Sequence, residues 1–170
     1  HEIPSALARE LRSSIFLLGP ILGRLKVARV AYPGGCEIGL RPIDIHLSAL
    51  RKLGVDVTDV SGEIICLAHN IKCDEVYLDF PSVGATENIM LLGAVSNAEI
   101  TIVNAAREPE ITDLEKFLNS MGAKISGAGT ETIHIIGVEK LEKVRYNIMS
   151  DRIFDATVLC AVAACGGDVL

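Results

Sequence analysis

Hydrophobic residues along this chain change their spacing in a repeating way. In "RPIDIHLSALRKLGVDV", residues 41–57, Pro42 stands where a helix begins, Ile43, Leu47 and Leu50 follow at i, i+4 and i+7, and Gly54 ends the run. The spacing then shortens. Val55 to Val60 and Glu63 to Ala68 read as two strands split by the hairpin signal Ser61-Gly62. "EVYLDF" predicts a further strand, and "SVGATENIMLLGAVSN" a helix ending at Asn97. The cycle restarts at "REPEITDLEKFLNSMGAKI": Pro109 opens a helix with Leu114, Phe117, Leu118 and Met121 on one face, Gly122 stops it, and 123–127 pairs with 132–136. The helix stops are 122 − 54 = 68 residues apart, and "GAT" and "DAT" are 156 − 85 = 71 apart. A helix-strand-strand-strand-helix-strand order thus occurs twice, which predicts an α/β (α+β) fold with mixed sheets, each helix covering a sheet face.

The ends of the chain read as cuts through this repeat. It opens inside a helix-like stretch, "ALARELRSSIFLLGPILGRL", with nothing before it for the unit's first strand, and closes on "GGDVL". "SDRIFDATVLCAVAACGG" repeats "PSVGATENIMLLGAVSN", so the last helix opens a further unit; the expectation is a fragment.

Composition narrows the function. With 170 residues, 49% hydrophobic and 22% charged, the chain can bury one core, or a core and the start of another. No apolar run reaches the roughly 18 to 20 residues of a membrane span, and no signal-peptide pattern is present, which points to a cytoplasmic protein without membrane partners. A net charge of −6 and only 4% aromatic residues argue against a nucleic-acid surface. Small partners are expected, and an anionic one must be held by placed arginines and helix N-termini. The five cysteines are odd in number and lack CxxC pairs, so they read as reduced thiols, with no metal site.

Cys66, Cys160 and Cys165 sit in apolar strands and helices and read as small buried hydrophobes. Cys36 differs: in "PGGCEIGLRPIDIH" it lies among glycines with no apolar periodicity, a candidate exposed, reactive thiol. Arg12, Arg41 or a helix N-terminus beside it would favour its thiolate, and Glu37 would oppose it. Arg41, directly before Pro42, suits an anion or is a solvated surface arginine. Asp44 and His46 are two apart and share no helix face, which argues against a metal pair or acid-base dyad. Asp44 complements the helix dipole, and His46 reads as partly exposed. Ser82 is a helix cap whose neighbours Val83 and Gly84 offer N–H groups to a phosphate, or a plain structural cap, and Asp151 before Arg152 is similar.

The stretch "GGCEIGLRPIDIH", the arginine of "LRSSIFLLGP" 36 − 12 = 24 residues before the cysteine, "SVGAT", "NAAREPEI" and "SDRI", in this order, resemble the UDP-N-acetylglucosamine 1-carboxyvinyltransferase family of enolpyruvyl transferases. The loop cysteine separates that family from its sibling, 5-enolpyruvylshikimate-3-phosphate synthase. The resemblance implies repeated βαβαββ units in an inside-out α/β barrel, with the active site between two domains. It implies transfer of the enolpyruvyl group of phosphoenolpyruvate to the 3-hydroxyl of UDP-N-acetylglucosamine with release of phosphate, the first committed step of bacterial peptidoglycan synthesis, without a cofactor. On it, Cys36 is the proton donor that can also bond covalently to substrate and is the fosfomycin target. Arg41 contacts both substrates, and Pro42, Ile43, Asp44 and Ile45 lie beside the nucleotide. Arg12 belongs to the UDP-sugar site, and Ser82 and Val83 hold the diphosphate. Phe80 departs from the lysine many members carry.

The family's lysine-asparagine pair for phosphoenolpyruvate, its aspartate base and its C-terminal arginine lie outside these 170 residues. Residues 1–149 are then most of the central domain and 150–170 the start of the second. The chain alone is expected to be inactive, with its last helix prone to self-association. A non-catalytic nucleotide-sugar-binding paralogue, or a transferase like the sibling synthase, are the alternatives.

Overall fold

Eight of the twelve positions of one helix, Val83–Ala94, are buried, and a helix apolar nearly all round must lie inside the molecule. In the computed structural model, which describes residues 2–34, 42–72 and 74–169, two small sheets lie around it. In chain order the helices are α1 (Ser5–Glu10), α2 (Leu18–Leu25), α3 (Asp44–Lys52), α4 (Val83–Ala94), α5 (Pro109–Ser120) and α6 (Arg152–Cys165), with a 3-10 segment at Arg12–Leu17 before α2. The strands are β1 (Val27–Ala31), β2 (Asp56–Val60), β3 (Glu63–Leu67), β4 (Asp74–Tyr77), β5 (Glu99–Val103), β6 (Lys124–Ser126) and β7 (Thr132–Ile136).

One sheet has the order β1-β3-β2, all antiparallel, with Val27 and Asp56 both opposite Leu67. The other has the order β4-β5-β7-β6, with β4 and β5 parallel across α4. Glu2 forms an isolated parallel bridge with Arg29, in the place that β4 holds beside β5. The repeat is therefore βαβαββ twice: the Glu2 bridge, α2, β1, α3, β2, β3, and then β4, α4, β5, α5, β6, β7.

This corrects the sequence reading in phase and detail. The helix-strand-strand-strand-helix-strand order is the same cycle entered three elements late, at its second helix. β1, in which Arg29 is exposed between buried Ala28 and Val30 but Ala31 is buried as well, so that alternation fails at its end, was not anticipated. The second cycle's third strand is absent among the described residues, 137–151 being irregular, and α4 ends at Ala94, short of Asn97. The hairpin at Ser61-Gly62 is present, both residues having positive φ (54° and 80°) as a tight two-residue turn requires.

α2 and α4 touch at Gly19. A Cβ there would meet the Asn88 carbonyl oxygen at 2.5 Å, so only glycine permits the approach. The last helix is different. α6 has no buried residue, and Ile153, Phe154 and Leu159 are exposed. Cys66 is buried as expected, but Cys160 and Cys165 are exposed, because no apolar face among the described residues covers α6. Among the described residues, contacts fasten its start. Asp151 accepts from the N–H groups of Ile153 and Phe154, Arg152 pairs with Glu110 at 2.8 Å, and the Tyr146 hydroxyl donates to Asp113 at 2.8 Å.

Candidate functional site

The starts of three elements meet on one side of the α2–α4 core. Arg12 opens the 3-10 segment, and its guanidinium donates to the Pro42 carbonyl at 3.4 Å, tying that segment to the chain ahead of α3. In α3, Ile43, Leu47 and Leu50 are buried, which leaves Pro42 and Asp44 exposed and Ile45 half-buried. At the start of α4, the Ser82 hydroxyl accepts from Ala85 N–H at 3.3 Å. Thr86 donates to the Ser82 carbonyl at 2.8 Å and accepts from Ala106 N–H at 3.1 Å, which fixes the turn against the following loop. The N–H groups of Val83 and Gly84, in the first turn, have no intrahelical acceptor and carry the positive end of the helix dipole.

His46 joins these parts. It is 8% exposed, which corrects the expectation of a partly exposed histidine: it lies three residues after Ile43 and four before Leu50, on the inner face of α3. Phe16 contacts its ring edge-on at 6.2 Å between centroids. A Cβ at Gly84 would meet the imidazole at 2.7 Å, so the ring is seated against the first turn of α4. Burial, and then the Arg12 guanidinium, push its pKa down to about 4, with Asp44 opposing. The imidazole is therefore neutral at physiological pH.

Asn88 lies one turn along α4 from Gly84 and is 1% exposed. Its Oδ1 accepts from Gly19 N–H at 2.7 Å, and its Nδ2 donates to the Ile15 carbonyl at 3.1 Å and lies 2.9 Å from His46 Nδ1. Also on α4, Glu87 is half-buried; burial, then Glu110 and Glu108, raise its carboxyl to about 7. Pro81, Arg107 and Glu108 line an open cleft beside the Ser82 turn, and Phe80 is exposed there.

Of the residues singled out in the sequence, Arg12, Pro42, Ile43, Asp44, Ile45, Ser82 and Val83 fall in this region. Cys36 and Arg41 lie outside the described residues. His46 as a buried group, Asn88 and Glu87 were missed. A guanidinium, a neutral imidazole and free helix N–H groups make an edge suited to an anion. Among the described residues, no group of three or more His, Cys, Asp or Glu is placed to hold a metal.

Comparison with known proteins identifies the family of the chain. Residues 1–170 match the family described as EPSP synthase (3-phosphoshikimate 1-carboxyvinyltransferase). UDP-N-acetylglucosamine 1-carboxyvinyltransferase 2 of Caldanaerobacter subterraneus subsp. tengcongensis is 53% identical over 168 residues, 99% of this chain and 40% of that protein. UDP-N-acetylglucosamine 1-carboxyvinyltransferase 1 of Symbiobacterium thermophilum is 50% identical over 170 residues, 99% of this chain and 38% of that protein. The chain thus spans about two fifths of the length of these relatives. Among solved structures, the enolpyruvyl transferase NikO from Streptomyces tendae matches with a TM-score of 0.78 and 26% identity, over 94% of this chain and 38% of that one. The two βαβαββ units carry that fold, although these strands alone do not close a barrel.

Proposed function

Because the chain belongs to the EPSP synthase (3-phosphoshikimate 1-carboxyvinyltransferase) family, we propose that it is the UDP-sugar-side part of an enzyme that transfers the enolpyruvyl group of phosphoenolpyruvate to the 3-hydroxyl of UDP-N-acetylglucosamine. The observation that carries the choice of acceptor is the identity of 53% across 99% of the chain to a UDP-N-acetylglucosamine 1-carboxyvinyltransferase. The gathering of Arg12, the 42–45 stretch and the Ser82 turn supports it, since a nucleotide diphosphate needs such donors.

In this reading the Cys36 thiol gives its proton to the methylene carbon of phosphoenolpyruvate. C2 becomes electron-poor, and the sugar hydroxyl attacks it, losing its proton to a base. Loss of phosphate and of a methyl proton from the tetrahedral adduct restores the double bond, now on the sugar. Arg41 contacts both substrates, Arg12 and residues 42–45 hold the nucleotide, and Ser82 and Val83 face the diphosphate. Phe80 supplies no charge, so Arg12, Arg41 and the helix N–H groups carry the anion. Residues 1–149 form most of one domain and 150–170 begin the next, the junction being fastened to α5 by Asp113 and Glu110. The same reading places the enzyme in the bacterial cytoplasm, serving cell shape and division, with Cys36 as the fosfomycin target.

The test is phosphate release by the full-length protein containing this chain, given phosphoenolpyruvate with UDP-N-acetylglucosamine or with shikimate 3-phosphate. Release with the UDP-sugar alone, falling by about 10²-fold or more in Cys36→Ser, is expected. Release only with shikimate 3-phosphate, or none from a folded protein, overturns the proposal.

A further inference from the structure

Asn88 has more fixed partners than a core asparagine needs, and their chemistry determines its orientation. Gly19 N–H can only donate, and the Ile15 carbonyl can only accept. The amide oxygen must therefore face Gly19 and the amide nitrogen must face Ile15, with no freedom to flip. The second hydrogen on Nδ2 points at His46 Nδ1, 2.9 Å away. A donor on that side requires His46 Nδ1 to accept, which leaves the imidazole neutral with its single proton on Nε2. Nε2 has no protein partner among the described residues and lies 3.0 Å from where a Cβ on Gly84 would stand, aimed at the first turn of α4.

We propose that Asn88 is a positioning residue that locks His46 as the Nε2–H tautomer and aims this donor, together with the Val83 and Gly84 N–H groups, at an anionic phosphoryl oxygen bound at the start of α4. The absence of a side chain on Gly84 leaves the room this needs. Through Ile15 and Gly19 the same amide braces the 3-10 segment that carries Arg12, so one buried residue sets the geometry of donors on three elements. This rests on the nucleotide-sugar reading for the identity of the anion, and on the hydrogen-bond geometry for the tautomer. A neutral donor gives the site a practical property: its affinity does not depend on protonating a histidine. Arg12 and Asp44 are the charged groups that act on His46, and they oppose one another.

The experiment uses the full-length protein with ¹⁵N-labelled histidine. Ring-nitrogen NMR, assigned with His46→Gln, reads the tautomer, and calorimetry with UDP and with UDP-N-acetylglucosamine reads binding. His46 in the wild type is expected to carry its proton on Nε2. In Asn88→Asp the carboxylate draws the proton to Nδ1, and affinity for UDP is expected to fall about tenfold, the loss of one charge-assisted hydrogen bond. His46→Phe, which keeps the ring, is expected to lose the same factor, with Asn88→Asp adding nothing further on that background. The Phe variant carries the test if Asn88→Asp unfolds.

A wild-type proton on Nδ1, or a folded His46→Phe protein that binds UDP as the wild type does, overturns the inference. Loss of UDP binding in the variants, with no phosphate release from phosphoenolpyruvate in the wild type, upholds this inference and overturns the functional reading. Normal turnover by the wild type, with UDP binding unchanged in both variants, does the reverse.

Discussion

Gly19→Ala is the sharpest probe of the contact on which the site rests. In an open helix interior the change stabilises by about 1 kcal/mol, and by less in the first turn of α2. Here the new methyl would stand 2.5 Å from the Asn88 carbonyl oxygen and 2.9 Å from its Oδ1. Normal contact lies near about 3.5 Å, so α2 and α4 must part by about 1 Å, which forfeits a quarter to a half of the dispersion attraction across that gap. The same shift stretches the 2.7 Å bond from Gly19 N–H to Asn88 beyond hydrogen-bond range. Overpacking costs about 1–3 kcal/mol, and a buried donor left without an acceptor about 1–3 kcal/mol. With the propensity gain set against them, the net loss is about 1–5 kcal/mol, or about 2–20 °C in Tm for a chain of this size.

Gly23→Ala is the control. Its Cβ would meet a Val95 methyl at 2.5 Å, which can turn aside, and the Leu92 carbonyl oxygen at 3.2 Å, where a shift of a few tenths of an ångström suffices instead of the roughly 1 Å needed at Gly19. A cost of about 1 kcal/mol or less is expected. Urea unfolding followed by far-UV circular dichroism compares the midpoints. A Gly19→Ala protein as stable as the wild type, or less affected than Gly23→Ala, would refute the reasoning.

Glu87 and the cysteines give two further tests. Between about pH 4.5 and 7 the folded protein keeps a proton on Glu87 that the unfolded chain has released, so stability falls as pH rises through that window and the penalty is constant above it. The advantage of Glu87→Gln over the wild type should grow from pH 4.5 to 7 in urea midpoints; a flat or shrinking difference would count against a buried carboxyl. Among the described thiols, Cys160 and Cys165 should alkylate rapidly, and Cys66, whose thiol burial pushes up to about 11, only on unfolding. Peptide mass mapping reads this directly, and fast labelling of Cys66 would contradict the packing of β3.

The helices α3 and α5 were legible because Pro42 and Pro109 mark their starts and apolar residues hold one face. β1 was not, since "VARVA" is short and owes its place to pairing with β3, contacts 32 to 40 residues away in sequence that no local window contains. Cys160 and Cys165 misled because apolarity in sequence states a need for burial without supplying the surface that meets it. His46 carried a usable signal, three residues from Ile43 and four from Leu50. Weighing it against Asp44, two residues away, hid that face. Asn88 stood in a strongly apolar helix, four residues after Gly84 and thus on the same side. A polar residue inside such a run asks for partners. That they are Gly19 and Ile15 depends on how two distant helices cross, which is tertiary information.

The crossing of α2 and α4 also sets an order of events during synthesis. α2 begins at Leu18 and α4 at Val83, so the first leaves the ribosome 83 − 18 = 65 residues ahead of the second. At about 5–20 residues per second this is a delay of about 3–13 seconds. Throughout it the buried face of α2, with Leu18, Gly19 and Leu22, has β1 available but not α4. The second βαβαββ unit has no such wait, because α4, α5 and all four strands of its sheet come from the continuous run 74–136. The nascent chain must keep its first unit open until the second arrives to complete it, and a chaperone that holds exposed apolar helices would find its substrate in that interval.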